Sequence, residues 1–279
     1  MAKAMQRQRK LIVPGTLVLV GAGKMGGALL AGWLGLGLNP RKIVVIEPHP
    51  SKGLIALKRR GLRINPASKT VGPAAVIVFA IKPQSAPEVL PHLAPLVGAK
   101  TIVVSIMAGR TIRFLERGIP SAAIVRAMPN TPAAIGRGIT VACPNARVTA
   151  AQRALAHNLL TAMGVVEWVN DEAMMDAVTA VSGSGPAYVF LLAETLAQAG
   201  KAAGLPATLA EKLARATVAG SGELLHRSDL DAATLRANVT SPGGTTAAAL
   251  EVLMGQDGLE PLLTKAVIAA TKRGRDLAG

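Results

Sequence analysis

The residues with the clearest chemical potential form the segment Thr240–Thr246, with the sequence TSPGGTT. It predicts the start of a helix, where the first N–H groups have no partner and attract a carboxylate or a phosphate. The adjacent glycines allow close approach of the backbone, and the hydroxyls of Ser241, Thr245 and Thr246 add donors. An ordinary helix start capped by Ser-Pro is the alternative interpretation.

A second chemical signature consists of Gly21, Gly23 and Gly26, which follow the apolar run Leu17–Val20 with the spacing Gly-x-Gly-x-x-Gly. In a dinucleotide-binding fold the first glycine makes a tight turn and the second lets the backbone approach a pyrophosphate. The third lets helix and strand pack closely. A glycine-rich turn that binds nothing is the alternative, but the position after the first strand of a βαβ pattern favours a dinucleotide site.

The choice of dinucleotide depends on the end of the second predicted strand. Glu47 stands there, and an acidic residue at this distance accepts hydrogen bonds from an adenosine ribose, which favours NAD. Ser51 and Lys52 follow in basic surroundings, which suit the 2′-phosphate of NADP. We expect NADP as the cofactor, with NAD as the alternative.

Short loops rich in small residues, proline and asparagine follow three successive predicted strands: Ala80–Gln84, Ser105–Gly109 and Met128–Pro132. Ligands of open α/β sheets bind at the carboxyl ends of the strands, so Lys82 in the first loop could face the cofactor. Each loop by itself is an ordinary turn. Together they predict a cleft for cofactor and substrate at one edge of the sheet.

As far as Trp168, short Val/Ile runs alternate with helical patterns. This alternation predicts a doubly wound, mostly parallel α/β Rossmann sheet that positions these residues. After Asn170 long Ala/Leu periods predict an all-helical, all-α domain. The predicted division is a basic flexible tail over 1–14, a dinucleotide-binding domain over 15–170 and a helical substrate-binding and dimerisation domain over 171–279. The predicted strands are Leu17–Val20, Ile43–Ile46, Ala75–Ala80, Thr101–Ser105, Ala123–Ala127, Gly138–Ala142 and Val165–Trp168, and the predicted helices of the first domain are Met25–Leu36, Lys52–Arg60, Ala86–Leu96 and Ala150–Met163.

Charge and composition limit the function classes. The net charge is +15, and Lys and Arg dominate residues 1–166 whereas acidic residues are in slight excess in 167–279. A basic field in the first half suits a phosphorylated nucleotide. Neither a zinc pattern nor an aromatic RNA-binding signature nor a dense basic helix accompanies it, so we expect no nucleic-acid partner.

Other features concern location, metals and assembly. No apolar run approaches the roughly 20 residues of a membrane span, and the basic tail has no apolar core after it, so we expect no membrane segment, signal peptide or anchor. The single cysteine, Cys143, indicates a reducing, cytoplasmic setting.

Cys143 stands alone and no histidine pair has metal-ligand spacing, so we expect no catalytic metal. The Ala-Gly-rich helical half, with 2% aromatic residues in the chain, favours a homodimer.

Five blocks occur in order along the chain: Gly21–Gly26, Ile81–Gln84, Arg126–Pro132, Ser182–Tyr188 and Asn238–Thr246. Together they resemble the pyrroline-5-carboxylate reductase family from Leu17 to the last helix. The resemblance implies a Rossmann domain followed by a helical domain that dimerises by interleaving, with dimers often assembled into rings. It also implies sites formed by the cleft of one subunit and helices that include the partner's.

The resemblance and the motifs together assign site residues. For the cofactor these are Gly21, Ala22, Gly23, Lys24, Met25, Gly26, Glu47, Ser68, Ile81, Lys82, Pro83, Ala108 and Asn238. For the substrate they are Glu172, Asn238, Ser241, Gly244, Thr245 and Thr246. Ser68 is included because it stands near a position where many relatives have an asparagine that approaches the adenosine, and Glu47 stands where the family often has Ser or Arg.

The implied reaction is hydride transfer from NAD(P)H to the C=N carbon of 1-pyrroline-5-carboxylate, which yields L-proline. Thr246, or a water that it orients, is the candidate proton donor. The four histidines, His49, His92, His157 and His226, lie outside the motifs, which disfavours a histidine base. Two alternatives remain open: a 3-hydroxyacid dehydrogenase, although its early lysine has no counterpart before Lys201, and a non-catalytic nucleotide-binding protein.

Overall fold

The structure, a computed structural model, describes residues 10–278, and its first part contains an eight-stranded sheet. The spatial order is 3-2-1-4-5-6-7-8, which is the Rossmann order extended by two strands. The first six strands are parallel, whereas the seventh is antiparallel to the sixth and parallel to the eighth. The strands are β1 Leu17–Val20, β2 Ile43–Ile46, β3 Arg63–Ile64, β4 Ala74–Phe79, β5 Val97–Ser105, β6 Ala123–Met128, β7 Gly138–Pro144 and β8 Gly164–Trp168.

Helices flank the sheet and make up the rest of the chain. Those of the first part are α1 Lys24–Gly35, α2 Lys52–Ala56, α3 Ala86–Leu93, α4 Ile112–Gly118 and α5 Ala150–Leu160. Those that follow the sheet are α6 Met175–Val178, α7 Gly185–Ala202, α8 Ala207–Arg227, α9 Ala232–Asn238, α10 Thr245–Leu253 and α11 Leu259–Ala278. A π-helical turn, Thr179–Gly183, joins α6 to α7.

The predicted Rossmann domain and the all-helical second part are confirmed. Two short elements, β3 and α4, were not predicted, since β3 has only two residues and α4 only seven. The predicted helices Lys52–Arg60, Ala86–Leu96 and Ala150–Met163 all end in a 3-10 turn instead of continuing as α-helix. Thr149 begins α5 as expected, because its side chain and that of Gln152 form a reciprocal capping box.

Apolar side chains on both faces of the sheet hold this domain together. β1 is buried throughout, with Leu17 and Leu19 on one face and Val18 and Val20 on the other. This explains its continuous apolar sequence, since a parallel strand is covered by helices on both sides. On the first face Trp33 of α1 is fully buried, and its indole N–H donates to the Leu159 carbonyl oxygen at 2.9 Å.

The described chain divides into two compact units, one that runs to Gly183 and includes the segment from Lys272, and one that spans Ser184–Thr271. Met175 illustrates why the first unit extends beyond the sheet, because its side chain is completely buried in the second core cluster. The compact units therefore divide later than the predicted boundary between 170 and 171, and the predicted domain limits stay a prediction.

The predicted flexible tail over 1–14 needs a correction at its end. Residues 1–9 lie outside the described residues, but Leu11 and Val13 are buried in the core and the Leu11 N–H donates to the Leu36 carbonyl at 3.0 Å. The Lys42 ammonium donates to the Val13 carbonyl at 2.7 Å. A flexible tail therefore cannot include residues 11–14, since apolar burial and two hydrogen bonds hold them on the first unit.

Candidate active site

The register of the sheet brings the ends of five strands to one edge. Val20 at the end of β1 is paired with Ile46 of β2 and Phe79 of β4. Phe79 is paired with Ser105 of β5, and Ser105 with Arg126 of β6. The loops after these strands carry most of the predicted cofactor residues, so the cleft expected at the carboxyl ends of the strands has the required alignment.

The three glycines of the loop between β1 and α1 have different structural reasons. Gly21 has φ +90°, and a Cβ there would lie 2.6 Å from the Ala80 carbonyl oxygen. A Cβ on Gly26 would collide with the Gly21 carbonyl oxygen and stand 3.1 Å from the Ala80 Cβ. A Cβ on Gly23, by contrast, would meet nothing within 4 Å. The fold therefore requires glycine at positions 21 and 26, whereas Gly23 leaves open space beside the loop.

That open space fits the phosphates of a dinucleotide. Gly23 is the N-cap of α1 and has no side chain to cap the helix, so the first N–H groups of α1 are available to a ligand. Lys24 is exposed beside them, while Ala22 and Met25 are half-buried. A bare helix start with a cation next to it is the donor set that a pyrophosphate requires.

Glu47 follows β2 and belongs to a hydrogen-bond network around this loop. One carboxylate oxygen accepts the Ala22 N–H at 2.8 Å, and the other accepts the His49 N–H at 3.0 Å. The side-chain amide of Asn65 holds the Glu47 backbone from the other side, donating to its carbonyl and accepting its N–H, both at 2.8 Å. A negative charge is therefore fixed against the dinucleotide loop.

The loops after β4 and β5 are joined by Arg110. Its Nε donates to the Pro83 carbonyl oxygen at 2.9 Å, and its guanidinium lies 4.5 Å from the centroid of the Phe114 ring. The first loop contains Ile81, Lys82 and Pro83, and the second contains Ala108. The lysine and the alanine are exposed, as residues that face a ligand would be.

The predicted substrate residue Glu172 lies in the first unit and is bound by other groups. Its Oε1 accepts Nη1 of the buried Arg126 at 2.8 Å and also the N–H of Ile112, the first residue of α4, at 2.8 Å. Asp176 is 3.9 Å from the second guanidinium nitrogen. The observed function of Glu172 is thus to neutralise Arg126 and to fix the start of α4, and its contact with a substrate stays a prediction.

Cys143 lies opposite Arg126 on β7. Burial raises the pKa of its thiol, and the nearby Glu172 carboxylate raises that pKa further, although Arg126 lowers it. The thiol is free and buried. A raised pKa disfavours the thiolate that a nucleophile needs, so Cys143 acts as a core residue.

The Thr240–Thr246 segment lies in the second unit and contains the predicted helix start. Gly244 is the N-cap of α10, and Gly243 before it has φ +68°, which favours glycine. The first backbone bond of the helix runs from the Ala248 N–H to the Gly244 carbonyl at 3.2 Å, and no side chain of the described residues caps this helix start. Several N–H groups and the hydroxyls of Ser241 and the following threonines are therefore available to an anion.

Comparison with known proteins agrees with this arrangement. The family described as "Pyrroline-5-carboxylate reductase dimerisation" matches residues 172–277, and "NADP oxidoreductase coenzyme F420-dependent" matches residues 16–109. A pyrroline-5-carboxylate reductase of Synechocystis is 41% identical over 94% of this chain and 97% of its own. The chain belongs to the pyrroline-5-carboxylate reductase family. It is thus an oxidoreductase with a dimerisation domain.

Other members show the same likeness. The Pseudomonas aeruginosa reductase is 38% identical over 94% of this chain and 96% of its own. A solved reductase structure from Coxiella burnetii has a TM-score of 0.88 at 33% identity and covers 95% of this chain and 99% of its own. A Plasmodium falciparum structure with NADP bound has a TM-score of 0.79 at 29% identity, over 96% of this chain and 100% of its own.

The second unit exposes a large apolar surface. Many large apolar side chains of its helices face outward, among them Phe190 at 68%, Leu262 at 58% and Leu224 at 56% exposure. An open cavity of about 780 Å³ adds Leu253 and Leu263 to this surface. Exposed apolar area on this scale marks an interaction site.

The sequence-predicted site residues thus form two groups. The first unit brings the Gly21–Gly26 loop together with Glu47, Ile81, Lys82, Pro83 and Ala108 at one sheet edge. Ser68 begins the 3-10 turn Ser68–Thr70, and its role toward the cofactor stays a prediction. Asn238, Ser241, Gly244, Thr245 and Thr246 lie in the second unit, as the last residue of α9 and around the start of α10.

Sequence reasoning missed Asn65 and Arg110. Asn65 adopts φ +49°, a conformation in which asparagine is enriched, and it follows the short β3 that was also missed. Arg110 follows Gly109 directly after a small-residue loop. The one signal that could have indicated Arg110 is its position as a basic residue next to a predicted ligand loop.

Two kinds of site are absent from the part of the chain that the structure describes. Within residues 10–278 no helix combines the length and the apolar character that crossing a bilayer demands. Among the same residues His, Cys, Asp and Glu nowhere gather in a group of three that could hold a metal ion. The absence of a catalytic metal stays a prediction.

Proposed function

We propose that this chain reduces 1-pyrroline-5-carboxylate to L-proline with NADPH, the last step of proline formation. The observation that carries the proposal is the likeness, across almost the whole chain, to curated pyrroline-5-carboxylate reductases. The two family matches include both the Gly21–Gly26 loop and the Ser241–Thr246 segment. The geometry supports it, because one unit offers a dinucleotide loop and the other a helix start for an anion.

The first unit would hold the cofactor. The open backbone at Gly23 and the N–H groups of α1 would bind its pyrophosphate, while Lys82 and Ala108 flank the same sheet edge. When bound, reduced nicotinamide supplies the hydride. The protein itself contributes orientation and electrostatics, since it has no need to provide a redox group.

The second unit would bind the substrate carboxylate at the start of α10. Ser241 and Thr245 are exposed there, and Thr246 is half-buried. Hydride addition at the carbon of the C=N bond leaves the ring nitrogen in need of one proton. We assign that proton to the Oγ1 hydroxyl of Thr246, directly or through a water that it orients, which completes the conversion of the imine to an amine.

The direct test follows the loss of absorbance at the nicotinamide band. Purified protein is mixed with 1-pyrroline-5-carboxylate, with NADPH and NADH in parallel, and L-proline is identified as the product. Turnover with formation of L-proline supports the proposal. Cofactor binding without oxidation when the imine is added would identify a non-catalytic nucleotide-binding protein. Oxidation of a 3-hydroxyacid with NADP⁺ or NAD⁺, followed as a gain of absorbance at the same band, would identify the dehydrogenase alternative.

The cofactor choice depends on Glu47. We expect Glu47→Gln to raise the ratio of kcat/KM for NADPH to that for NADH about tenfold, because it removes a negative charge that repels the 2′-phosphate beside the Ala22 N–H. Glu88→Gln is the matched control, since Glu88 is an exposed carboxylate on α3 of the same unit. An unchanged ratio in Glu47→Gln would show that Glu47 does not approach the adenosine ribose.

Further assignments belong to the same proposal. We propose a ring of dimers as the assembly, a cytoplasmic location and no nucleic-acid partner. The exposed apolar helices of the second unit support self-association, and a single, buried cysteine agrees with a reducing compartment. We also retain the predicted domains, with residues 15–170 binding the dinucleotide and 171–279 binding the substrate and a second subunit.

A further inference from the structure

Arg110 makes two contacts that no catalytic assignment explains. Its Nε donates to the Pro83 carbonyl oxygen at 2.9 Å, although this oxygen already accepts the N–H of Ala86. Its guanidinium lies 4.5 Å from the centroid of Phe114, within the range of a cation–π interaction. One half-buried side chain thus connects the loop after β4 to the loop after β5.

Arg110 is itself held in place by the residues that follow it. Thr111 is the N-cap of α4, and its hydroxyl accepts the Phe114 N–H at 3.1 Å. The Ile112 N–H donates to Glu172, which is in turn bonded to the buried Arg126. Two side-chain hydrogen bonds therefore fix the backbone within four residues of Arg110, on the segment that carries the Phe114 ring. An arginine supported in this way is preorganised, so little side-chain entropy is lost when it bonds to Pro83.

We infer that Arg110 is a positioning residue of the dinucleotide site, which fixes the turn Lys82–Ser85 relative to the loop that carries Ala108. The inference rests on the proposed function, because both loops then flank the cofactor. The Pro83 carbonyl directly follows Lys82, so a bond to this carbonyl limits how far the lysine can move from the sheet edge. The two terminal nitrogens of Arg110 are not needed for this role.

The test uses three variants of the full-length protein. Arg110→Gln removes the charge and the stacking on Phe114. Arg110→Lys keeps the charge but lacks the Nε that donates to Pro83 and the planar guanidinium that stacks on Phe114. Arg113→Gln is the matched control, since Arg113 is an exposed arginine in the first turn of α4, three residues after Arg110. For each protein, amide hydrogen exchange is measured without cofactor, and the Kd of NADPH is measured by calorimetry.

The expected result has two parts. In both Arg110 variants the amides of Lys82 and residues 84–86 exchange about fivefold faster, because the bond that holds their turn is lost. NADPH then binds about tenfold more weakly to both, which matches the loss of one charge-assisted hydrogen bond. Arg113→Gln changes neither quantity by more than about twofold, since exposed charges contribute little.

Three outcomes would overturn the inference. Unchanged exchange at Lys82 and residues 84–86 would show that Arg110 does not hold the turn. Faster exchange with an unchanged Kd would mean that the bond is only structural. A Kd restored by Arg110→Lys while exchange stays fast would show that the charge itself attracts the phosphates. Neither measurement involves the imine, so the inference can fail while the proposed reaction stands, and the reverse also holds.

Discussion

The Gly26→Ala variant should be destabilised by about 3 kcal/mol or more, with a fall in Tm of about 10 °C. The physical reason is that the new Cβ would collide with the Gly21 carbonyl oxygen, which is backbone and cannot rotate away. The Ala80 Cβ, 3.1 Å from the same position, blocks a movement of α1 toward β4. Thermal unfolding followed by circular dichroism measures the effect.

Gly23→Ala is the matched control, because a Cβ at Gly23 meets no atom within 4 Å. Its Tm should stay within about 2 °C of the wild-type value. Its Kd for NADPH should nevertheless rise about tenfold, since the methyl group fills the space that lets the backbone approach a pyrophosphate. Wild-type affinity in this variant would show that the loop does not bind the cofactor, and an unaffected Gly26→Ala would contradict the packing argument.

The Thr246→Val variant should lose kcat about 100-fold, because general acid catalysis by a positioned group contributes on this order. Valine has nearly the same shape as threonine, and Thr246 has no capping bond that the change would remove. The loss therefore reports the hydroxyl. Steady-state kinetics with varied 1-pyrroline-5-carboxylate at saturating NADPH separate kcat from KM.

Two further variants separate proton transfer from binding. Thr246→Ser keeps a hydroxyl at the same position and should recover most of the turnover. Ser241→Ala should raise the substrate KM about tenfold and leave the cofactor KM unchanged, since it removes one donor to the carboxylate. Wild-type turnover in Thr246→Val would exclude this threonine as the donor, and wild-type KM values in Ser241→Ala would contradict carboxylate binding at this helix start.

The strands and most helices could be predicted from local pattern. Leu17–Val20 and Ile43–Ile46 match the structure to the residue, because a strand buried on both faces has a continuous apolar sequence with sharp polar limits. The two-residue β3 has no such run, since Arg63 and Ile64 pair only with Val44 and Val45 at the outer edge of the sheet. Short elements depend on their neighbours for stability, so their own sequence does not define them.

Only part of the candidate site could be predicted, because several of its contacts join residues that are distant along the chain. The dinucleotide loop has its spacing in the sequence, but the separate tasks of its glycines depend on Ala80, which is distant along the chain. Glu172 was assigned to the substrate by resemblance, whereas the structure places its carboxylate on Arg126 and the Ile112 N–H. Arg110 bonds to Pro83 across two strands, a contact that no local pattern can indicate.

The sequence by itself determined the Rossmann order of elements, the helical second half, the dinucleotide loop and the hydroxyl-rich start of α10. These follow from hydrophobic periodicity, glycine spacing and helix-start chemistry, which act over a few residues. Tertiary structure alone decided which N–H groups Glu47 accepts, which glycines the fold requires and how Arg110 joins two loops. Parallel pairing brings residues far apart in sequence to one edge of the sheet, so these contacts exist only once the strands are in register.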